Sequence, residues 1–358
     1  MTTPITEDDL YRTSTQHRLW TFTPTTLAAR RTQTHTAALA RLPLRPNHSN
    51  PQPFTQTDSL ALLRRYTSQL HTTATHLSLP GPLTATACQY LARFYLTYSP
   101  LTYPPRQIYK TCLWLACKVH GTHLGLNDFL RRIGSEGEKD VVLAAEFLVL
   151  GGLGWVVEVK GPGQGLKGWL VEAVGLAEEG ELEGLGMPGE GARTVWKGEG
   201  AAGGRVRAAY AAAKGVLERP ALLTDVWFLF SPAQMVFAGL MVADGVLAGF
   251  CLERKLGPLD VEVSERVLEA VRACAEMLAG FDEGEVLGRE GREEVEARLE
   301  MWRDPGTRDL VGRFGAGKAA GGQGEEAEER RKEMKKEARE KSRREGDELF
   351  GPGLARKG

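Results

Sequence analysis

The sequence is poor in the features that most function classes need. Its five cysteines, Cys88, Cys112, Cys117, Cys251 and Cys274, are odd in number, form no Cys-x-x-Cys pair and sit among apolar neighbours. That pattern speaks against a disulfide framework or a zinc ribbon and makes them reduced core residues. Long apolar runs are missing too. The longest, such as Cys112 to Cys117, fall far short of the ~20 residues that a bilayer crossing requires. Neither sign of charge dominates: 45 Lys and Arg stand against 46 Asp and Glu, so no global field favours DNA, anionic lipid or an acidic substrate. Thr2 to Arg12 carries Glu7, Asp8 and Asp9 and lacks the positive start and apolar stretch of an export signal. A soluble, intracellular protein is expected, with no membrane and no direct nucleic-acid contact.

Catalytic motifs are equally scarce. There is no Walker A loop, no H-E-x-x-H and no G-x-S-x-G. One G-x-G-x-x-G occurs at Gly163, Gly165 and Gly168 after the run Val156-Val157-Glu158-Val159. No second strand completes a βαβ unit there, so a dinucleotide site is not expected. The close histidine pair His120-x-x-His123 has no Cys or carboxylate set beside it, which leaves it short of a metal site. No cofactor, metal or catalytic residue is expected.

What the sequence does have is helical periodicity. Leu63, Tyr66, Leu70 and Leu77 recur at helical spacing until Pro80-Gly81-Pro82 stops them. A second helix follows through Ala87, Tyr90, Leu91, Phe94 and Tyr95. A third runs from Ile108 to Lys118, apolar on most sides and therefore central to a bundle. A short fourth around Leu126 to Ile133 and a fifth from Val141 to about Leu153 complete a five-helix unit. The pattern P-x-Q-apolar-x4-L-x2-A then occurs twice, at Pro105 and at Pro232, each time opening an apolar helix. Two copies point to duplicated units in tandem. The fold class is all-α: two five-helix units flanked by extension helices. The boundaries read as an extension over 1–55, a first unit over 56–158, a Gly/Glu-rich insertion over 159–205, a second unit over 206–283, and a C-terminal helix with a charged tail over 284–358. The stretch from Gly161 to Gly204, with only a few apolar islands such as Trp169-Leu170-Val171, is expected to be partly ordered, to sustain no large core and to be removable. The tail from Glu325 to Glu348, with its paired charges, reads as a solvated helix or a disordered segment, the alternative being a nuclear-import or nucleic-acid role for Arg330-Arg331-Lys332 and Lys335-Lys336.

Two charges stand out. Lys118 closes the apolar third helix, where a cation suits the helix dipole. Glu146 interrupts Val141 to Leu150, and a carboxylate on an apolar helix is costly unless paired or exposed. It pairs with Lys118, turns to solvent, or meets a partner protein. Trp20 and Phe22, and Val295, Leu299 and Trp302, read as apolar faces of extension helices, packed on the units or in part meeting a partner.

Four segments carry a family resemblance. Ser14-Thr15-Gln16-His17-Arg18-Leu19-Trp20-Thr21-Phe22 resembles the S-x-Q-x-R-x-W-T-F signature of the cyclin H family. Thr84 to Leu96 and Thr111 to Val119 are similar to the second and third cyclin-box helices, and Leu222-Leu223-Thr224-Asp225 through Gln234 to the second repeat. On these residues the chain is identified as a divergent, fungal-like member of that family. The resemblance implies a nuclear, non-catalytic subunit that binds and activates a cyclin-dependent kinase of the TFIIH kinase module. Through that kinase it would support phosphorylation of the RNA polymerase II C-terminal repeats and transcription initiation. It also implies a third, RING-finger assembly subunit and an indirect link to the TFIIH core. The implied kinase-binding residues are Lys118, Val119, Glu146, Leu150 and Val157, and removal of the stretch from Gly161 to Gly204 is expected to leave kinase binding nearly intact. The alternatives are another transcriptional cyclin or a tandem cyclin-fold factor of the TFIIB type, although the latter's zinc ribbon and basic repeats are missing. Tyr66-Thr67-Ser68-Gln69-Leu70 stands where cell-cycle cyclins carry a docking motif, and His120-Gly121 where cyclins commonly carry acidic residues.

Overall fold

The computed structural model describes residues 11–42, 52–186 and 201–314, and every regular element among them is helical. Prolines and side-chain caps set the starts. Ser14 opens α1 (Thr15–Trp20) by accepting from the His17 N–H, and Thr23 opens α2 (Pro24–Leu39) with a capping box to Thr26. The first bundle contains α3 (Gln56–His76), α4 (Gly81–Thr97), α5 (Pro105–Val119), α6 (Leu126–Arg132) and α7 (Lys139–Gly152). As its apolar character requires, α5 is central and packs on α3, α4 and α7. Gly152 lets α7 come close to α4, since a Cβ there would lie 2.6 Å from the Phe94 ring.

The second bundle contains α8 (Gly163–Glu178), α9 (Ala201–Glu218), two short helices α10 (Pro220–Leu223) and α11 (Val226–Leu229), then α12 (Pro232–Ala243), α13 (Gly245–Leu256) and α14 (Val261–Ala279). Here α12 is the central helix, packed on α8, α9, α13 and α14. The repeated P-x-Q pattern therefore opens the central helix of each bundle. Its glutamine does different work in the two copies: Gln234 closes a capping box with Ser231, whereas Gln107 accepts from Arg303 at 3.1 Å.

The expected coreless insertion needs correction in its first third. Leu166, Trp169, Ala173 and Leu176 form a buried stripe along α8 at three- and four-residue spacing, packed against α9 and α12. Four glycines in this helix cost about 4 kcal/mol of propensity. Burying three large apolar side chains returns roughly 5–9 kcal/mol, so packing wins. Gly165 also permits the approach to α12, where the Val236 methyl lies 3.3 Å from its Cβ position. The second bundle thus starts at Gly163 and not near 206. Gly163, Gly165 and Gly168 lie in the first turns of α8, not in a loop after a strand.

Both extensions pack onto the first bundle. In the C-terminal one, α15 (Arg289–Trp302) lies on α3, burying Val295 and Leu299, and Arg298 pairs with Asp58 at 3.1 Å. Trp302 is half-buried and its indole N–H donates to the Gln52 carbonyl at 3.0 Å. A last short helix, α16 (Leu310–Phe314), packs on α7. The charged stretch Glu325 to Glu348 lies outside the described residues.

Candidate functional site

The buried stretch of α5 ends at Cys117, and the next two residues, Lys118 and Val119, emerge at the surface. Alongside, α7 buries Val142, Ala145, Val149 and Gly152 inward and turns Leu143 and Phe147 outward. Between these outward residues Glu146 forms an ion pair with Lys118. The two groups thus satisfy each other in the free chain, which was one of the readings the sequence left open. The pair is not internal: the lysine side chain is 45% exposed and the glutamate 14%. Exposed apolar surface surrounds it. Phe147 is 69% exposed and packs edge-on against Trp155, itself 62% exposed, at 6.3 Å between ring centroids. Val119 and Leu143 complete the patch.

Trp155 has φ +62°, a left-handed conformation uncommon for a bulky residue and costly to hold. The turn around it is closed by Trp155 N–H donating to Leu150 O at 2.9 Å and Gly154 N–H to Gly151 O at 3.0 Å. A strained backbone that sets an indole in water is a reason to look for something that covers it. Leu150 and Val157 are half-buried and packed on the core. Leu143, Phe147 and Trp155 were not among the residues singled out from the sequence. Leu143 and Phe147 carried a signal, since α7 is apolar beyond the one face it can bury in its own bundle. Trp155 carried none, because its placement depends on the turn.

The extension residues take structural places. Trp20 and Leu27 form a small core with Leu96 of the first bundle and Phe228 of the second, with Phe22 packed on it. Phe22 N–H donates to Phe228 O at 2.8 Å, and Arg31 grips Asp225 through two bonds of 2.7 and 2.6 Å. The N-terminal signature therefore ties both bundles together. At the end of α12, Asp244 caps α13 through the Leu247 N–H and binds Arg205 through bonds of 2.6 and 2.9 Å. Burial alone would raise the Asp244 carboxyl. The Arg205 guanidinium and the N–H groups of Leu247 and Val246 outweigh it and hold the group below the usual carboxylate value. His120 is engaged too, its ring 2.9 Å from the Thr86 hydroxyl. Among the described residues no group of three His, Cys, Asp or Glu side chains is arranged to hold a metal.

Comparison with known proteins identifies the architecture. The cyclin N-terminal domain family matches residues 43–158, and the cyclin C-terminal domain family matches 180–279. A chain of the CAK complex of Chaetomium thermophilum, solved with ATP-gamma-S, is 30% identical with a TM-score of 0.71, over 85% of this chain and 92% of that one. This chain belongs to the cyclin family. Among its relatives, Cyclin CCL1 of Saccharomyces cerevisiae is 28% identical over 268 residues, which is 70% of this cyclin and 62% of the yeast protein. Cyclin-H1-1 of Arabidopsis thaliana is 25% identical over 272 residues, 69% of this cyclin and 74% of the plant protein. A chain of the yeast TFIIK (Kin28/Ccl1/Tfb3) complex matches with 26% identity and a TM-score of 0.58, over 75% of this cyclin and all of that chain. These relatives place it with the cyclin H group. In this cyclin Tyr66, the first residue of the segment standing where cell-cycle cyclins carry their docking motif, is buried and hydrogen-bonded to Glu296 of α15.

Proposed function

We propose that this cyclin is the regulatory subunit of a TFIIH-type kinase module, and that it binds and activates a cyclin-dependent kinase through the face around Lys118 and Glu146. The observation that carries the reading is the exposed apolar patch of Val119, Leu143, Phe147 and Trp155 around a surface ion pair. An exposed apolar patch with an ion pair inside it is what a partner helix needs to bury. Lys118, Val119, Glu146, Leu150 and Val157 are the proposed contacts from the family motif, and Leu143, Phe147 and Trp155 join them from the geometry. The cyclin does no chemistry itself. Its face stabilises the kinase in the conformation that aligns the ATP-positioning lysine with its glutamate partner. The shift equals the difference in affinity for the active and inactive kinase states.

The proposal extends to a nuclear protein whose kinase phosphorylates the C-terminal repeats of RNA polymerase II during transcription initiation. A third, RING-finger subunit joins the pair and links it indirectly to the TFIIH core. The relatives' own assemblies, CAK and Kin28/Ccl1/Tfb3, support this reading. Affinity purification of the tagged cyclin from nuclear extract, with mass identification of its partners and phosphotransfer to a polymerase repeat peptide, tests it. The expected result is a cyclin-dependent kinase retained by the wild type and lost with Phe147→Asp. Retention of no kinase by the wild type, or equal retention by both proteins, would reject it.

A further inference from the structure

Trp155 stands at the start of the segment that joins the two bundles, and this segment has no regular secondary structure from Val156 to Lys160. Its main chain is nevertheless held from outside. The Tyr90 hydroxyl donates to Val157 O at 2.6 Å, and Arg93 Nη1 donates to Glu158 O at 3.1 Å. At Lys160 the grip is two-sided: Gln16 Nε2 donates to the carbonyl at 2.8 Å, while the Lys160 N–H donates to Gln16 Oε1 at 2.8 Å. The side-chain amide of Gln16 therefore pairs with both backbone groups of one residue, as a neighbouring strand would. Only Asn and Gln side chains carry both the acceptor and the donors for this, and only Gln adds the extra carbon of reach.

The same Gln16 oxygen accepts from Arg93 Nη2 at 2.8 Å. Arg93 is 1% exposed, and its hydrogen bonds go to two neutral acceptors, Gln16 Oε1 and the Glu158 carbonyl. Trp20 closes the other side, its ring centroid 5.4 Å from the guanidinium carbon. The Arg93 Nε is buried without a partner, so these two oxygens are all that solvate the guanidinium, and releasing either leaves a buried charge poorly solvated. Burial already pushes its pKa down to about 10.

We infer that Gln16, acting with Arg93, is a positioning residue for the partner-binding face: Gln16 pins Lys160 and steadies the Arg93 that pins Glu158, so that Trp155 is presented before a partner arrives. The inference rests on the proposed reading of that face as the kinase site. Two of the signature positions, Gln16 and Trp20, thereby acquire a role in partner affinity beyond packing.

The test uses the full chain and three variants: Gln16→Ala, Gln16→Glu and Phe147→Ala. Hydrogen exchange in the free cyclin should rise about tenfold or more at the Lys160 N–H, which donates to Gln16 Oε1, in Gln16→Ala, with Pro105–Val119 and Lys139–Gly152 as protected as in wild type. A segment correctly placed about a tenth of the time weakens apparent affinity about tenfold. The cyclin concentration for half-maximal kinase activation should therefore rise by that factor, while the plateau activity stays unchanged. Gln16→Glu keeps the acceptor for Arg93 and the Lys160 N–H but loses the donor, so its effect should be smaller. It carries the test alone if Gln16→Ala does not fold. Wild-type exchange at the Lys160 N–H, exchange raised uniformly through the chain, or an unshifted half-activation point would each overturn the inference. Phe147→Ala separates the two claims. If it weakens activation and the Gln16 variants do not, the face stands and the inference falls; if Phe147→Ala has no effect, the face itself is wrong.

Discussion

At the end of the first central helix Lys118 pairs with Glu146, and at the end of the second Asp244 pairs with Arg205. The two helices start with the same P-x-Q pattern and hold the same place in their bundles. In the second bundle the pair is internal: the Arg205 and Asp244 side chains are 11% and 6% exposed, two hydrogen bonds join them, and a helix cap satisfies the carboxylate further. In the first bundle the lysine is nearly half exposed, and the pair lies within an uncovered apolar surface. The end of one central helix carries a structural clamp, and the end of the other carries the pair proposed to meet a partner. Charge on an apolar helix does not by itself tell the two apart; burial and hydrogen-bond satisfaction do.

The largest expected effect is on the clamp. Arg205→Ala strands a buried carboxylate and should destabilise the free cyclin by ~3–5 kcal/mol in chemical denaturation. A loss under about 1 kcal/mol would remove the contrast between the pairs. The clamp also has a pH signature. Because Asp244 has a folded pKa below its ordinary 3.8, its stabilisation is present above that value and fades as pH falls through the folded pKa. Wild type and Arg205→Ala should therefore converge in stability below about pH 4. Next comes α8. Trp169→Ala should cost about 3–5 kcal/mol, and removal of Gly163–Glu178 should unfold the second bundle, as read by loss of cooperative melting. Survival of that deletion would restore the view of this stretch as a dispensable insertion. At the open site the effects on stability shrink: Phe147→Ala should change the free cyclin by no more than about 0.5 kcal/mol. The same change should raise the half-activation concentration for the kinase about tenfold or more, as an exposed aromatic anchor requires.

Much of this was legible from residue pattern. The helices of the first bundle follow from apolar spacing and proline stops, and the repeated P-x-Q marks both central helices. The helix Gly163–Glu178 was hidden because its glycine count suggested no core, while the stripe of Leu166, Trp169, Ala173 and Leu176 that decides the matter is only four residues. Lys118 and Glu146 were visible as charges breaking apolar helices. Whether they faced each other, the core or solvent depended on how α5 and α7 pack, which local sequence does not encode. Gln16 bridges to Lys160 across 144 positions, and Trp155 depends on a left-handed turn. Such roles exist only in three dimensions.

The central claim is that Lys118 and Glu146 serve a partner and not the fold. Thermal and chemical unfolding of Lys118→Ala, Glu146→Ala and the double variant, measured beside kinase activation by the same preparations, tests it most directly. Each single change should cost the free cyclin less than about 1 kcal/mol, as exposed pairs do, and the half-activation concentration should rise about tenfold for Glu146→Ala. Should Glu146→Ala instead lose ~3 kcal/mol or more, as a broken buried pair would, while the protein that remains folded activates the kinase normally, the pair belongs to the fold and the account is wrong.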